Sequence, residues 1–228
     1  MLDRTFNYNP RRAKELLRLF LEFSPDICFH LEIHPALLSE ELKKELRQLP
    51  AGLLHLEAGI QSLREPVLEK SRRIGKLSDA LEGLKFLCSL SNMETHADLI
   101  AGLPLYRLDE IFEDIYTLAG YRAGEIQLES LKLLPGTEMR HRADELGIRY
   151  SPLPPYEVLQ TGEISVGELQ TARRLSRLLD AFYNTPAWQE LTRELILNDR
   201  RFLYRFLAYL TEANLIDQPL SCLLYTSD

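Results

Sequence analysis

The chain has 228 residues, 45% of them hydrophobic and 27% charged, which is typical of a folded protein with one or two domains. Its net charge of −7 disfavours a broad nucleic-acid-binding surface. Without an apolar run of about 18 residues or a signal-peptide pattern, we expect no membrane partner and a cytoplasmic location. The cysteines Cys28, Cys88 and Cys222 are too far apart for a disulfide framework or a metal knuckle.

The first feature along the chain is a series of short apolar segments that end on polar residues. They cover residues 1–6, 27–33, 53–58, 94–100 and 125–131. Because these strand-like segments alternate with helical ones, they predict parallel βα units and an α/β fold. Residues 1–6 read as most of a strand, and five strands cannot close an eight-stranded barrel. The expected architecture is therefore part of a TIM-like (βα) barrel.

Helix signals lie between these strand candidates. Asn9 and Pro10 fit the N-cap and N1 positions of a first helix. Ser39, followed by two glutamates, marks a second start, and Ser78 before Asp79 marks another. Further helical patterns cover residues 65–72 and 108–119.

The last third of the chain has a different pattern. Three prolines in residues 151–156 predict an extended linker or a domain boundary, after which the pattern is wholly helical. We therefore expect the barrel part in residues 1–150 and a small all-α domain in residues 151–220. Residues 221–228 match no helix pattern and resemble translated sequencing-adapter sequence, so we expect them to be non-native.

Polar residues form rows at the predicted strand ends, because residues two apart on a strand share a face. The rows are His30, Glu32 and His34; Glu57, Gly59 and Gln61; His96 and Asp98; and Gln127 and Glu129. Such residues can stabilise one another in a core or face solvent. Four rows at equivalent strand ends favour a site instead, since buried carboxylates need partners or a ligand.

Several residues at these strand ends offer groups that can bind a small ligand. Gly59 permits close backbone approach, and Gln61 offers both donors and acceptors. Arg72 or Arg73 can clamp a carboxylate, although such a pair is more often solvated surface. The Asp98 carboxylate, placed before a turn, can accept from both hydroxyls of a ribose.

The segments TFN (5–7), LEIHP (31–35), AGIQS (58–62), ADLIAGLP (97–104) and LKLLPGT (131–137) resemble, in order and spacing, the later strands of radical S-adenosylmethionine enzymes. The match looks closest to enzymes with an N-terminal cobalamin-binding domain. Residues 154–188 resemble the helical domain of unknown function that follows the barrel in one such group.

The resemblance implies a role for each matching residue. Glu32 would bind the amino group of S-adenosylmethionine, Gln61 and Asp98 its ribose, and Arg73 its carboxylate, with Arg72 as the alternative. The turn at residues 101–104 and the backbone near residues 131–133 would pack against adenine. The implied cofactor-binding set is Glu32, Gln61, Ser62, Arg73, Asp98, Gly102 and Pro104.

One departure limits what the resemblance implies. Enzymes of this type hold a 4Fe–4S cluster with a CxxxCxxC loop, and this sequence has no such spacing. We therefore expect a C-terminal fragment that is inactive as given, with the cluster loop upstream of Met1 and a cobalamin domain before that. The longer protein is expected to cleave S-adenosylmethionine reductively and to act on an unknown substrate by methyl transfer or rearrangement.

Two other functions fit the residues. A βα-barrel hydrolase would need His30, His34, His55, His96 and Asp98 to converge on zinc. A non-catalytic binding module would use the aromatic helical tail as its docking surface, although those aromatic residues are more simply explained as its core.

Overall fold

The computed structural model describes residues 5–23 and 27–218 as an α/β fold. Its centre is a four-stranded parallel sheet in which the strands follow chain order. The strands are β1 Phe29–Ile33, β2 Leu54–Gln61, β3 Glu94–Ala101 and β4 Glu125–Ser130. The α/β prediction is confirmed, and the open parallel sheet with helices fits part of a βα barrel.

The helices of the barrel part are α1 Pro10–Phe20, α2 Glu40–Gln48, α3 Glu65–Lys70, α4 Leu77–Cys88 and α5 Leu108–Gly120. Two predicted N-caps are confirmed. The Asn9 side chain accepts from the Arg12 amide, and Ser39 accepts from the Leu42 amide. Helix α4 begins one residue before the predicted Ser78, whose hydroxyl donates to Asp79 instead of capping.

The sheet has one apolar and one polar face. Leu31, Leu56, Ala97 and Leu128 are all nearly or fully buried in the core formed with the helices. The alternate residues carry the predicted polar rows, and the strand register aligns them. His30 is level with His55, and Asp98 is level with Gln127. Since period-2 alternation fixes which face a side chain occupies, this register places the functional candidates together.

The predicted strand at residues 1–6 is not confirmed. Residues 1–4 lie outside the described part, and Phe6–Tyr8 is a 3-10 turn. Here the buried Asn7 side chain donates to the His34 carbonyl and accepts from the His34 amide, both at 2.8 Å. The amide group thus satisfies the backbone just beyond β1, as a neighbouring strand does elsewhere.

The predicted linker at residues 151–156 is a chain reversal. Strand β5 Arg149–Tyr150 pairs antiparallel with β6 Val158–Gln160, after a short helix α6 Glu138–His141. The Val158 amide donates to the Leu131 carbonyl at 2.9 Å, so β6 packs beside the continuation of β4. The linker prediction was wrong because these backbone hydrogen bonds hold the segment against the sheet.

The helical pattern after β6 is confirmed as α7 Val166–Leu178, a π-helical turn Leu179–Tyr183, α8 Pro186–Asn198 and α9 Phe202–Glu212. Helix α7 contacts β4 and α5, so the tail packs onto the barrel part. The Tyr204 ring of α9 stacks on Phe112 of α5 with centroids 3.7 Å apart. Tyr183 is fully buried, whereas Tyr209 is largely exposed, so the aromatic residues of the tail are core only in part.

Among the described residues, the structure contains no helix that is both long and apolar enough to cross a membrane.

Candidate functional site

A cleft of about 280 Å³ opens at the C-terminal ends of the four parallel strands. Its lining residues are Thr5, Glu32, Ile33, Gly59, Gln61, Arg73, Asp98, Ile100, Gln127 and Glu129. Carboxyl ends of parallel strands are where βα folds place their ligands. The structure therefore brings four of the predicted residues, Glu32, Gln61, Arg73 and Asp98, to one cavity.

Strand β2 reaches the cleft through an irregularity. Its pairing with β3 shifts register between Gly59 and Gln61, and Gln61 has a φ of 67°. A non-glycine residue in the left-handed region is uncommon and is found where the surrounding structure fixes it. The bulge ends regular pairing and changes the direction of the strand at Gln61, which then lines the cleft.

Arg73 reaches the cleft because of the way α3 ends. Arg72 adopts a left-handed conformation with φ 54°, the Arg72 amide donates to the Glu69 carbonyl, and the Arg73 amide donates to Leu68. This pair of bonds is a Schellman motif, which normally uses glycine at the position of Arg72. The motif reverses the chain so that the Arg73 side chain returns to β2.

The two adjacent arginines have different environments. The Arg73 Nη2 atom donates to the Gly59 carbonyl at 2.6 Å and lies 3.4 Å from where a Cβ on Gly59 would be. Burial lowers the pKa of the Arg73 guanidinium, and the charge of Glu32 partly offsets this. Arg72 is exposed and forms an ion pair with Glu138 at 2.6 Å. The structure thus places Arg73, and not Arg72, in the cleft.

Asp98 is a cleft acid whose pKa is strongly raised. Burial, followed by the charges of Glu57, Glu32 and Glu129, raises the pKa of its carboxyl to about 7. Its Oδ1 atom is buried and has no hydrogen-bond partner among the described residues. A buried polar atom without a partner is costly, and a donor from a ligand would remove that cost.

Three other predicted residues are not among those that line the cleft. Ser62 is fully buried, and its hydroxyl accepts from the Arg64 amide and lies 3.5 Å from Asp114. Gly102 has a φ of 92° and is covered by Val158, whose Cγ1 lies 3.3 Å from where a Cβ would be. Pro104 is buried in the following turn. These residues shape the ends of β2 and β3 instead of lining the cleft.

Asp114 organises the loop that contains Ser62. It accepts from the Leu63 amide at 2.8 Å, from Arg64 Nε at 2.9 Å and from the Tyr106 hydroxyl at 2.6 Å. The side chain of Asp114 is 1% exposed, and burial raises its pKa. These bonds join the end of β2 and the turn after β3 to α5, and so hold two walls of the cleft together.

The histidines were predicted to share a face with the acids, and this holds for three of them. The His30 and His55 rings stack with centroids 4.4 Å apart, and His55 meets His96 edge-on at 4.0 Å. Burial and the neighbouring imidazoles lower the pKa of His55.

His34 is the fourth of these histidines. It follows the end of β1, and its Nδ1 atom accepts from the Ala36 amide at 3.3 Å. His34 comes just after β1 and before a 3-10 turn, and it is not among the residues that line the cleft, so its place in the polar row stays a prediction.

The zinc hypothesis required these histidines and Asp98 to converge. In residues 5–23 and 27–218, no group of three or more histidine, cysteine, aspartate or glutamate side chains has a geometry that could hold a metal ion.

Of the other lining residues, Gln127 and Glu129 follow from the fourth polar row of the sequence. The alternation of polar and apolar residues did not predict Thr5 as a lining residue, because Thr5 comes before a 3-10 turn and does not belong to a regular strand. Its only sequence signal was its place in the TFN segment.

Comparison with known proteins adds three findings. A family model described as a protein of unknown function (DUF4080) matches residues 144–222, which include the helical tail. The heme chaperone HemW of Haemophilus influenzae is 26% identical over 127 residues, which are 55% of this chain and 32% of that protein. The chain therefore spans about a third of the length of this relative.

Solved structures that resemble the chain include two of TsrM from Kitasatospora setae, a radical S-adenosylmethionine methyltransferase. One, with tryptophan and a SAM analog bound, has a TM-score of 0.54, 17% identity and 67% coverage of this chain. Another, with cobalamin and a [4Fe-4S] cluster bound, has a TM-score of 0.53, 18% identity and the same coverage. In each case the chain covers 32% of TsrM, and the likeness shows the fold.

Proposed function

We propose that this chain is the S-adenosylmethionine-binding part of a radical S-adenosylmethionine enzyme. The observation that carries the proposal is the single cleft that collects Glu32, Gln61, Arg73 and Asp98 at the strand ends. The sequence similarity to HemW and the fold shared with TsrM support the same family. The cobalamin type is supported by the TsrM structure that contains cobalamin.

Each cleft residue offers a group that matches part of this ligand. The Arg73 guanidinium is a planar donor suited to the methionine carboxylate, and Glu32 offers a negative charge to the ammonium group. Asp98, with its free Oδ1, accepts from ribose hydroxyls, and Gln61 can donate or accept beside it. The negative charge of the acidic cleft residues also favours the positively charged sulfonium group of S-adenosylmethionine.

The described part of the chain does not fit a 4Fe–4S cluster. Cys28 is exposed, while Cys88 is half-buried and its pKa is raised to about 11 by burial, so it is a thiol and not a thiolate. The sequence has no CxxxCxxC spacing. The cluster, which supplies the electron for reductive cleavage, would be held by other residues of a longer protein. Methyl transfer or rearrangement of an unidentified substrate is the reaction proposed for that protein.

Ligand binding by the chain itself tests the assignment. We expect S-adenosylhomocysteine, a stable probe without the sulfonium, to bind wild-type protein in calorimetry. Arg73→Ala removes a charge-assisted pair worth about 1.5–3 kcal/mol, so affinity should fall by ten-fold or more. Arg72→Ala is the matched control and should leave affinity unchanged, because that side chain pairs with Glu138 on the surface. Equal effects of the two substitutions would contradict the assignment.

Activity is tested on the longer protein. After anaerobic reconstitution with iron and sulfide under reducing conditions, we expect 5′-deoxyadenosine or S-adenosylhomocysteine to form from S-adenosylmethionine. The Asp98→Ala variant should reduce product formation. Failure to form either product in reconstituted protein with an intact cluster would oppose the catalytic proposal, even if the chain binds the probe.

A further inference from the structure

Gln127 is a cleft residue to which the family resemblance assigns no role. It lines the cleft from β4, and the strand register places it directly beside Asp98. Neighbouring strands are about 4.8 Å apart, so the two side chains start at adjacent points of one wall. Whether the Gln127 amide presents its donor nitrogen or its acceptor oxygen therefore determines which ligand groups can bind next to Asp98.

A neighbouring histidine determines that direction. The Gln127 Nε2 atom lies 2.9 Å from His96 Nδ1, and His96 Nε2 lies 2.9 Å from a carboxylate oxygen of Glu125. The Nε2 atom makes no aligned hydrogen bond with the described residues, so this contact is electrostatic. A bare nitrogen lone pair facing the Glu125 carboxylate would be repelled, so the proton of a neutral His96 ring is favoured on Nε2. The Nδ1 atom is then an acceptor, and it takes a hydrogen from the Gln127 amide nitrogen.

This orientation leaves the carbonyl end of the Gln127 side-chain amide facing away from His96. With its nitrogen used by His96, the Oε1 atom is the part left for a ligand, and no hydrogen bond from the described residues occupies it. His96 is well placed to fix this orientation because its side chain is only 8% exposed and its ring meets that of His55. The cleft thus has two acceptors side by side, Asp98 and Gln127.

We propose that Gln127 is a further ligand-binding residue, which accepts a hydrogen bond from a hydroxyl of a ribose diol beside Asp98, and that His96 is its positioning residue. This deepens the proposed function and depends on it. A pair of neighbouring acceptors selects a ligand with two neighbouring donors. Ligands that lack these hydroxyls lose the bond with Gln127 and leave the buried Asp98 Oδ1 atom without a partner.

The binding test compares S-adenosylhomocysteine with its 2′-deoxy and 3′-deoxy analogues. Gln127→Leu should weaken binding of S-adenosylhomocysteine by about ten-fold, the effect of one lost ligand hydrogen bond. It should weaken binding of the analogue that lacks the hydroxyl facing Gln127 by less than about two-fold, because the bond is already absent. Gln170→Leu on the exposed surface of α7 is the matched control. Equal losses for all three ligands, or no loss, would overturn the proposal.

The positioning role of His96 has two readouts that simple packing does not predict. His96→Phe should weaken S-adenosylhomocysteine binding, and the double variant with Gln127→Leu should be no weaker than Gln127→Leu alone. Additive losses would mean that His96 acts only through packing. In wild-type protein, ¹⁵N chemical shifts of the ring should show the Nε2–H tautomer, and the Nδ1–H tautomer would overturn the assignment.

The binding tests and the tautomer measurement distinguish a failure of this inference from a failure of the proposed function. If wild-type protein binds no S-adenosylhomocysteine, the proposed function and the diol assignment both fail, while the tautomer measurement still decides the His96–Gln127 contact. If the probe binds and depends on Arg73 but not on Gln127, only the inference fails.

Discussion

Asp98 is the residue at which folding and ligand binding make opposite demands. Its carboxyl is held near Glu57 and Glu32 in a poorly solvated position, which raises its pKa to about 7. A carboxyl in this state is costly to ionise in the folded protein. In the proposed function, donors from a ligand would satisfy the Asp98 carboxyl, so the unfavourable burial of this group in the folded protein would favour binding.

This gives a pH dependence with a definite sign. Because the folded pKa of Asp98 is above its ordinary value of 3.8, the folded state binds more protons than the unfolded state between about pH 4 and pH 7, and stability falls as pH rises through that window. We expect Asp98→Asn to lose most of this fall and to be more stable than wild type at about pH 8. Urea unfolding at several pH values measures it.

The control for this prediction is Asp144→Asn, a substitution at an exposed position outside the cleft. It should keep the wild-type pH profile. An Asp98→Asn profile that parallels wild type would mean that the carboxyl is not the source of the pH dependence.

The role of the adjacent residues Arg72 and Arg73 was only partly predictable from the sequence. The sequence indicated a carboxylate-binding arginine at position 72 or 73, but it did not fix which one. The choice depends on the Schellman motif that ends α3, and that motif places a non-glycine residue, Arg72, in a left-handed conformation. Since local sequence gave no glycine signal there, only the structure settles the side-chain direction.

At the scale of secondary-structure elements, the cleft is made of strand ends joined by buried polar contacts. Asp114 joins the loop after β2 to the turn after β3 through Arg64 and Tyr106. The alternation of strands and helices was predictable because each strand has an apolar run and each helix a periodic stripe. The hydrogen-bond network around Asp114 was not predictable, because its residues are far apart in sequence and none of them indicates which residue it will contact.

Loss of Asp114 should be far more costly than loss of its neighbour. Asp114→Ala leaves the Arg64 guanidinium and the Tyr106 hydroxyl without their buried acceptor, and we expect a loss of about 3–5 kcal/mol in the free energy of unfolding. Glu113→Ala removes an exposed partner of the same arginine and should change stability far less. Urea unfolding measures both, and similar losses would show that Asp114 is not the centre of the network.

The edge of β4 is protected by a second side-chain amide. The Ile126 amide donates to Asn184 Oδ1 at 2.9 Å, and Asn184 Nδ2 donates to the Ile126 carbonyl at 3.1 Å. Asn7 makes the same pair of bonds with His34 next to β1. Edge strands that are left unpaired promote association, so these amides serve in place of missing neighbours.

Asn184→Ala should expose this edge. We expect a loss of about 1–3 kcal/mol in stability, because both backbone groups of Ile126 lose their partners. Hydrogen exchange at the Ile126 amide should become faster than in wild type. Asn198→Ala, at the exposed end of α8, is the control and should change neither quantity. Unchanged exchange at Ile126 in the Asn184 variant would contradict the proposed protection.

For the whole molecule, the separation of the two sheet faces determines the position of the cleft. One face packs apolar residues against helices, while the other carries histidines and carboxylates toward the strand ends. Arg73 joins these residues from the loop after α3. The α/β class and the polar rows followed from alternation and periodicity alone. Two features could not be predicted in this way: the 3-10 turn at Phe6–Tyr8 and the chain reversal at residues 151–156. Both depend on contacts with parts of the sheet that are distant in sequence.

The tail also belongs to this larger unit. Its helices α7 and α8 contact β4 and α5, and the matched family model covers residues 144–222, which begin before the reversal. The reversal, the tail and the edge of β4 are therefore packed against one another. Predicting this from sequence required knowing that the prolines of residues 151–156 bend the chain and do not extend it.

A crystal structure of the chain soaked with S-adenosylhomocysteine would show the proposed site itself. We expect the probe in the cleft at the strand ends, with its carboxylate on Arg73 and its ribose hydroxyls on Asp98 and Gln127. A probe bound elsewhere on the molecule, or a cleft that stays without the probe at saturating concentration, would contradict this assignment.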